Sequence, residues 1–381
     1  METKSLRRVA SLCLLFGAFN ALEAASTVPS ALLEQLSSGA NVARWFRFPV
    51  SESAEHFANY IPDEEMALMR RIGLRHIRLC IAPKEIMDTA TGAIREDRFK
   101  NVESAIERFL KADLAVVIDI HNEDRKGIEE SDAWRNAFDK FWADAARRWS
   151  RFDPEKVVLE IVNEPVFQGR ETEWPPLQER FFKTIRSAAP KHTIIVSGPN
   201  WGGIDGLKKL KPLADSNVIY SFHTYDPFPF SHQGATWTGG PHKVMKNVPY
   251  PSSPEAVAPL LPELEKLDAK ARDEVRWYGE QRWNLDKLRA RFREGIEWGA
   301  KNDVTLYCGE FGVYPVASKA EDRAAWFHDF GTVLRENKIG WAVWGWDEGF
   351  GINRQGRGEK AVLDPVATKS LGLKPDHSGD R

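Results

Sequence analysis

The 381-residue sequence predicts a single α/β domain, a closed (β/α)₈ TIM barrel with an insertion in the loop after strand six. Eight short apolar runs alternate with stretches of helical periodicity, the order expected of parallel strands joined by helical crossovers. No strand-like run leads into a Gly-x-Gly-x-x-Gly turn, so an open dinucleotide-binding sheet lacks its main signal. One barrel of ordinary size would use most of the chain.

The elements follow in order. Strand one is read at 42–48, and a helix opens near Pro62 and Asp63 and stops at Gly73. Strand two is 74–81. Phe99, Val102, Ile106, Phe109 and Leu110 mark a helix over 98–111. Strand three, 114–120, is apolar except for Asp119; a helix over 134–149 and strand four, 157–162, come next. A helix at 173–189, strand five at 193–196, a short helical piece after Gly203 and strand six at 218–222 continue the alternation. Helix 284–300, strand seven at 304–307, helix 320–336 and strand eight at 339–344 complete it. Helical signals are weakest after strands one, five and eight. Between 226 and 283 the pattern breaks down: 232–240 is rich in Gly, Thr and Trp, and 249–254 holds three prolines. A stretch this long is either functional or a small packed subdomain, and it can be both.

Composition narrows the function. Lys plus Arg (53) nearly cancels Asp plus Glu (55), so charge gives no reason to expect nucleic acid or an anionic membrane as partner. Fourteen Trp either face sugar rings or fill the core. Lys4, Arg7 and Arg8, the apolar run 9–19 and the small residues Ala24, Ala25 and Ser26 have the order of a secretory signal peptide over 1–26. The chain from 27 to 381 is then the catalytic domain, secreted or periplasmic. Removing the signal takes Cys13 and leaves Cys80 and Cys308, read as buried free thiols.

Barrel enzymes place reactive groups where strands end. Those ends carry Arg78, His121 with Asn122, Asn163 with Glu164, Asn200 with Trp201, His223 with Tyr225, Glu310, and Trp344 with Trp346. Asn163-Glu164-Pro165 alone could be a helix cap followed by a first-turn proline, and Gly309-Glu310-Phe311-Gly312 alone a tight turn. The joint pattern is harder to obtain that way. Two carboxylates at opposed strand ends suit glycosidic cleavage, in which one protonates the leaving oxygen and the other attacks the anomeric carbon. His121, His223 and the glutamates could ligate zinc, but no HExxH or paired-cysteine spacing is present, so neither a metal nor an organic cofactor is expected. No Gly-x-Ser-x-Gly elbow offers a serine nucleophile.

From about Asn41 to about Asp347 the chain resembles glycoside hydrolase family 5, which contains many cellulases and mannanases. The resemblance lies in Ile161-Val162-Asn163-Glu164-Pro165, Gly309-Glu310-Phe311-Gly312, Phe222-His223-Thr224-Tyr225, and Trp341-Ala342-Val343-Trp344 followed by Gly349-Phe350-Gly351-Ile352. It implies Glu164 as acid/base and Glu310 as nucleophile. It further implies that Asn163 bonds the sugar 2-hydroxyl, that Arg78 holds the nucleophile ionised, and that His223 and Tyr225 flank the two carboxylates. Trp344 would floor the subsite, and His121 matches the family's strand-end histidine. The segment from Tyr225 to Trp237, with His232-Gln233-Gly234-Ala235, looks like a loop of certain bacterial endoglucanases. Trp201 and Trp237 join the expected substrate-binding residues. Trp346 departs from the smaller or polar residues common at its position, which leaves its neighbouring contacts open.

The expected activity is a retaining endo-β-1,4-glucanase acting as a monomer on a polysaccharide or oligosaccharide, with no nucleic-acid or membrane partner. A β-mannanase, a mixed-linkage glucanase and an exo-acting β-glucosidase on the same fold remain alternatives. From another class, so does a carbohydrate-binding barrel without catalysis.

Overall fold

Alternation along the strands decides what fills the barrel. The structure, a computed structural model, describes residues 27–354 and 361–374; the signal segment 1–26 lies outside the described residues. The strands are β1 (Gly39–Phe46), β2 (His76–Ile81), β3 (Ala115–Ile120), β4 (Val157–Glu160), β5 (Ile194–Ser197), β6 (Val218–His223), β7 (Thr305–Glu310) and β8 (Gly340–Val343). Each pairs in parallel with the next, and β1 pairs with β8 to close the ring.

Successive side chains on a strand point to opposite faces. One inward layer is apolar: Val117, Val158, Ile195, Ile219, Tyr307 and Ala342 cluster with Leu32 and Leu36, which helix Ser30–Gln35 and its C-cap bring beneath the barrel. Two residues further along β3, β4, β5 and β6, the inward positions turn polar, at Asp119, Glu160, Ser197 and Ser221, all buried. Two further again stand His121, just past the end of β3, and His223, the last residue of β6. Outward residues such as Ile118, Leu159 and Val196 pack with Trp142, Phe138 and Phe330 of the surrounding helices in the larger core.

Helix Ala320–Glu336 has the bounds that its periodicity predicts. Helix Asp132–Trp149 starts where the Ser131 hydroxyl accepts from Trp134 N, and helix Leu285–Asn302 where the Asn284 side chain accepts from Lys287 N. Three differences from the sequence reading bear on the site. β1 begins at Gly39, so Asn41 lies inside it, and β7 runs on to Glu310, which makes Gly309-Glu310 a strand end rather than a turn. β4 stops at Glu160, short of Asn163 and Glu164. No helix opens at Pro165, for the next helical turn is Glu171–Glu173, so Asn163 caps nothing.

The insertion after β6 contains helices Pro254–Val257, Leu261–Leu267 and Ala269–Glu280. It is a packed unit: Val257, Leu264, Ala271, Val275 and Tyr278 join the main core. Buried Gln233 ties Phe230 O to both backbone groups of Val248. Among the described residues no helix is long and apolar enough to cross a membrane.

Candidate active site

Arg78, wholly buried, organises the polar layer. Its Nε and Nη2 donate to the two oxygens of Glu160 at 2.7 and 2.8 Å, a bidentate pair. Nη2 also reaches Asn163 Oδ1 at 2.8 Å and lies 3.2 Å from Asp119 Oδ2. Nη1 donates to Asn41 Oδ1 and to Glu310 Oε1, each at 2.8 Å. One guanidinium thus joins β1, β2, β3, β4 with its following loop, and β7. Asp119 also receives His121 Nδ1 at 2.7 Å.

Two glycines admit Glu310 to this cluster. A Cβ on Gly309 would stand 2.6 Å from His223 Nε2, and one on Gly312 2.9 Å from Trp344 O. Glu164 arrives differently, on a loop with left-handed backbone. Its φ is 39°, and Asn200 and Trp201 on the neighbouring β5 loop have φ of 61° and 62°. Such non-glycine conformations cost about 1–3 kcal/mol each and need support from around them. The two loops support each other: Asn200 N donates to Val166 O at 3.0 Å and Trp201 N to Pro165 O at 3.1 Å.

Glu164, His223 and Glu310 each present a ligating atom within 4.8 Å of the others. His223 Nδ1 is 2.9 Å from Glu164 Oε1 and 3.7 Å from Glu310 Oε1. Tyr225 Oη donates to Glu310 Oε2 at 3.0 Å. The two carboxyl groups are driven apart electrostatically. Burial works against ionising Glu310, but the positive charges of His223 and Arg78 outweigh it and hold its pKa well below the usual carboxylate range. Burial, then repulsion from Glu310, pushes Glu164 up against the pull of His223. Burial also pushes Tyr225 well above its ordinary value, with Glu310 adding to it, so the hydroxyl keeps its proton.

These groups open into a cavity of about 790 Å³ that Trp201, Trp237 and Trp344 also line. Trp201 and Trp237 are 44% and 56% exposed; Trp344 is buried, with Arg47 4.9 Å above its ring and His121 5.7 Å away. Trp237 comes from the insertion and rests edge-on against Tyr314 at 4.8 Å. Trp346 does not reach the cavity. It is fully buried, its indole N–H donates to Glu65, and it serves packing.

The sequence profile described as Cellulase (glycosyl hydrolase family 5) matches residues 37–349, which span the whole barrel and every group named above. The chain belongs to glycoside hydrolase family 5. It is similar to endoglucanase C of Acetivibrio thermocellus, 28% identical over 316 residues that make up 81% of this chain and 90% of the relative. It is also similar to cellodextrinase A of Ruminococcus flavefaciens, 26% identical over 79% of this chain and 82% of the relative. Among solved structures, Cel5A of Thermotoga maritima with cellobiose superimposes with a TM-score of 0.72 at 27% identity, over 89% of this chain and 98% of Cel5A. Its mannotriose complex gives 0.71 at the same identity, over 89% and 99%.

Among the described residues of this family 5 glycoside hydrolase, two clusters have donor atoms that could face a cation, Cys80-Asp119-His121 and Glu164-His223-Glu310. Arg78 already supplies the positive charge at both, through Asp119 and Glu310. Burial pushes the Cys80 thiol well above its ordinary range, so it holds its proton where a metal needs thiolate. Cys80 and Cys308 are both buried and unbridged. The sequence reading gathered Arg78, His121, Asn163, Glu164, His223, Tyr225, Glu310 and the three cavity tryptophans, and all of them converge here. It missed Asn41, Arg47 and Glu160, and it noted Asp119 without a role. For Asp119 and Glu160 the signal was present: each is an acidic residue two positions beyond an inward-facing valine.

Proposed function

We propose that the enzyme hydrolyses β-1,4-glucan internally with retention of configuration, using Glu310 as nucleophile and Glu164 as acid/base. The carrying observation is the approach of Glu164 and Glu310 oxygens to within 4.8 Å. Retaining enzymes hold the pair about 5–5.5 Å apart, and inverting ones about 6.5–9.5 Å apart to admit a water. In the first step a Glu310 oxygen bonds to the anomeric carbon while the glycosidic C–O bond breaks, and the Glu164 proton goes to the departing oxygen. In the second, water attacks the same carbon, its proton goes to Glu164, and Glu310 leaves as carboxylate. The lowered pKa of Glu310 and the raised pKa of Glu164 suit these roles. Arg78 occupies the Asn163 carbonyl oxygen, which leaves the amide donors for the sugar 2-hydroxyl.

Trp344 lies beside His121 and lines the cavity together with Glu310, and Trp201 is tied to the Glu164 loop through its backbone N–H to Pro165 O. Sugars held at both would flank the scissile bond, as internal cleavage requires. The names endoglucanase C and cellodextrinase A, and the cellobiose in Cel5A, favour glucan. The mannotriose held by Cel5A makes β-mannan the second reading. Residues 1–26 fit export as a signal peptide, and a monomer is the working form we propose.

The test is trapping with an activated 2-deoxy-2-fluoro cellobioside. A covalent adduct on the Glu310 peptide, initial products of β configuration, and a viscosity of soluble β-glucan that falls faster than reducing ends appear are expected. An α-configured initial product would overturn the retaining reading, and an adduct on another carboxylate the assignment of Glu310.

A further inference from the structure

The loop after β3 reaches three places with alternate residues. His121 stands at the polar layer beside Asp119, Glu123 pairs with Arg47 at 2.7 Å next to Trp344, and Arg125 lies over Trp201 with its guanidinium carbon 3.6 Å from the ring centroid. The residues between them hold the turn: Asn122 Nδ2 donates to Asp124 O, Asp124 N to Asn122 Oδ1, and Asp124 Oδ1 accepts from Gly127 N. The loop therefore runs along the cleft from Trp344 to Trp201.

Three arginines line the cavity, and they differ. Arg47 is paired with Glu123, and Arg291 with Asp205 and Asp226. Arg125, exposed, has no carboxylate partner among the described residues; its contact is the Trp201 indole. A guanidinium on an aromatic face keeps its planar edge of N–H donors free. Trp201 N donates to Pro165 O at 3.1 Å, so Trp201 with Arg125 upon it stands beside the loop from which Glu164 delivers its proton, hence on the side of the departing sugar.

We propose that Arg125 is a specificity-determining residue of the leaving-group side: seated on Trp201, it donates hydrogen bonds to hydroxyls of the sugar unit beyond the scissile bond. The inference rests on the assignment of Glu164 as acid/base. Arg125 then selects substrates and acceptors that extend past the cleavage point and is idle when the leaving group is a small phenol.

The experiment compares Arg125→Ala and Arg125→Lys with the wild type on an aryl β-disaccharide and on the matching hexasaccharide. The sugar series, gluco or manno, is whichever the wild type hydrolyses. For Arg125→Ala, kcat/KM on the hexasaccharide should fall about tenfold, the loss of one charge-assisted hydrogen bond. On the aryl glycoside it should stay within twofold, with an unchanged melting temperature, and transfer to added disaccharide acceptors should drop in parallel. Arg125→Lys, which keeps the charge without the planar edge, should fall in between. Equal losses on both substrates, or none on the hexasaccharide, would overturn the proposal. So would a loss confined to carboxymethylated polysaccharide and abolished by 0.5 M salt, which marks ionic recognition instead. Failure of the acid/base assignment shows separately, as an aryl glycoside turned over no better than the hexasaccharide when Glu164 is replaced by Ala.

Discussion

Arg78 donates Nη1 to Glu310 at 2.8 Å while its opposite edge grips both oxygens of Glu160. Lysine offers a point charge and cannot span both carboxylates. In Arg78→Lys, Glu310 should lose part of the field that holds it ionised, and the acidic limb of the kcat/KM profile should move to higher pH. Glu310 stabilises the fold above its unfolded value of 4.5, and this contribution disappears as pH falls through its lowered folded value; the variant has less of it, so it should be less stable than the wild type above pH 4.5, with the gap closing as pH falls through the wild type's lowered folded value. Arg78→Ala leaves Asp119, Glu160 and Glu310 without their cation, and urea denaturation should register a loss of about 3–5 kcal/mol. An unmoved acidic limb in Arg78→Lys would assign Arg78 to structure alone.

Replacing Glu164 by Ala removes the proton donor, which matters most when the leaving group is poor. Turnover of an activated aryl glycoside should begin with a burst and leave a covalent mass adduct, while activity on the natural polysaccharide collapses. Azide needs no general base and should restore turnover, giving a β-glycosyl azide. Equal losses on both substrates with no azide effect would point to His223 as the donor.

Glu348 follows Trp344 on the β8 loop, and its Oε1 is buried without a hydrogen-bond partner among the described residues. Burial pushes its pKa up to about 7, against the attraction of Arg47. Below pH 4.5 the group is protonated folded or unfolded. From there to about 7 the unfolded chain loses the proton first, so wild-type stability should decline by about 3 kcal/mol relative to Glu348→Gln and then level off. Melting curves of both proteins at pH 4 and pH 8 check this: similar at the lower pH, the variant higher at the upper.

Trp237 presents its indole to the cavity from outside the barrel proper. Trp237→Ala should raise KM for long oligosaccharides several-fold with kcat nearly unchanged, because stacking away from the reacting carbon binds substrate and transition state alike. Steady-state kinetics on a chain-length series decides it; a fall in kcat alone would place Trp237 in the chemistry.

The barrel was legible because each layer repeats a local rule. Apolar periodicity over 320–336 was sufficient to define a helix whose ends are set by the same residues. Glu164 was legible as a candidate but not in its setting, because its left-handed backbone depends on a second loop 36 residues later. The helices of the insertion were obscured by prolines and by a charged surface: Ala269–Glu280 buries little beyond Ala271, Val275 and Tyr278, too narrow a stripe to stand out. Most of the fourteen tryptophans proved to be packing, since Trp45, Trp134, Trp142, Trp149, Trp174, Trp283, Trp326, Trp341 and Trp346 are buried in the main core. Arg47 gave no signal, as its role arises from Glu123 and Trp344, which are distant in the chain.

Closure of the ring between β1 and β8 has a consequence for how the chemistry is distributed. The strands and loops of the first half, β1 to β4, supply Asn41, Arg78, Asp119, Glu160 and Glu164, and those of the second half supply His223, Tyr225, Glu310 and Trp344. Arg78 and Glu310, 232 residues apart, meet across that seam. A fragment cut between β4 and β5 therefore carries a proton donor with no nucleophile, and its complement the reverse. Hydrolysis is a property of the reunited halves, and recovery of activity from two co-expressed fragments would report their reassembly as directly as any measurement of shape.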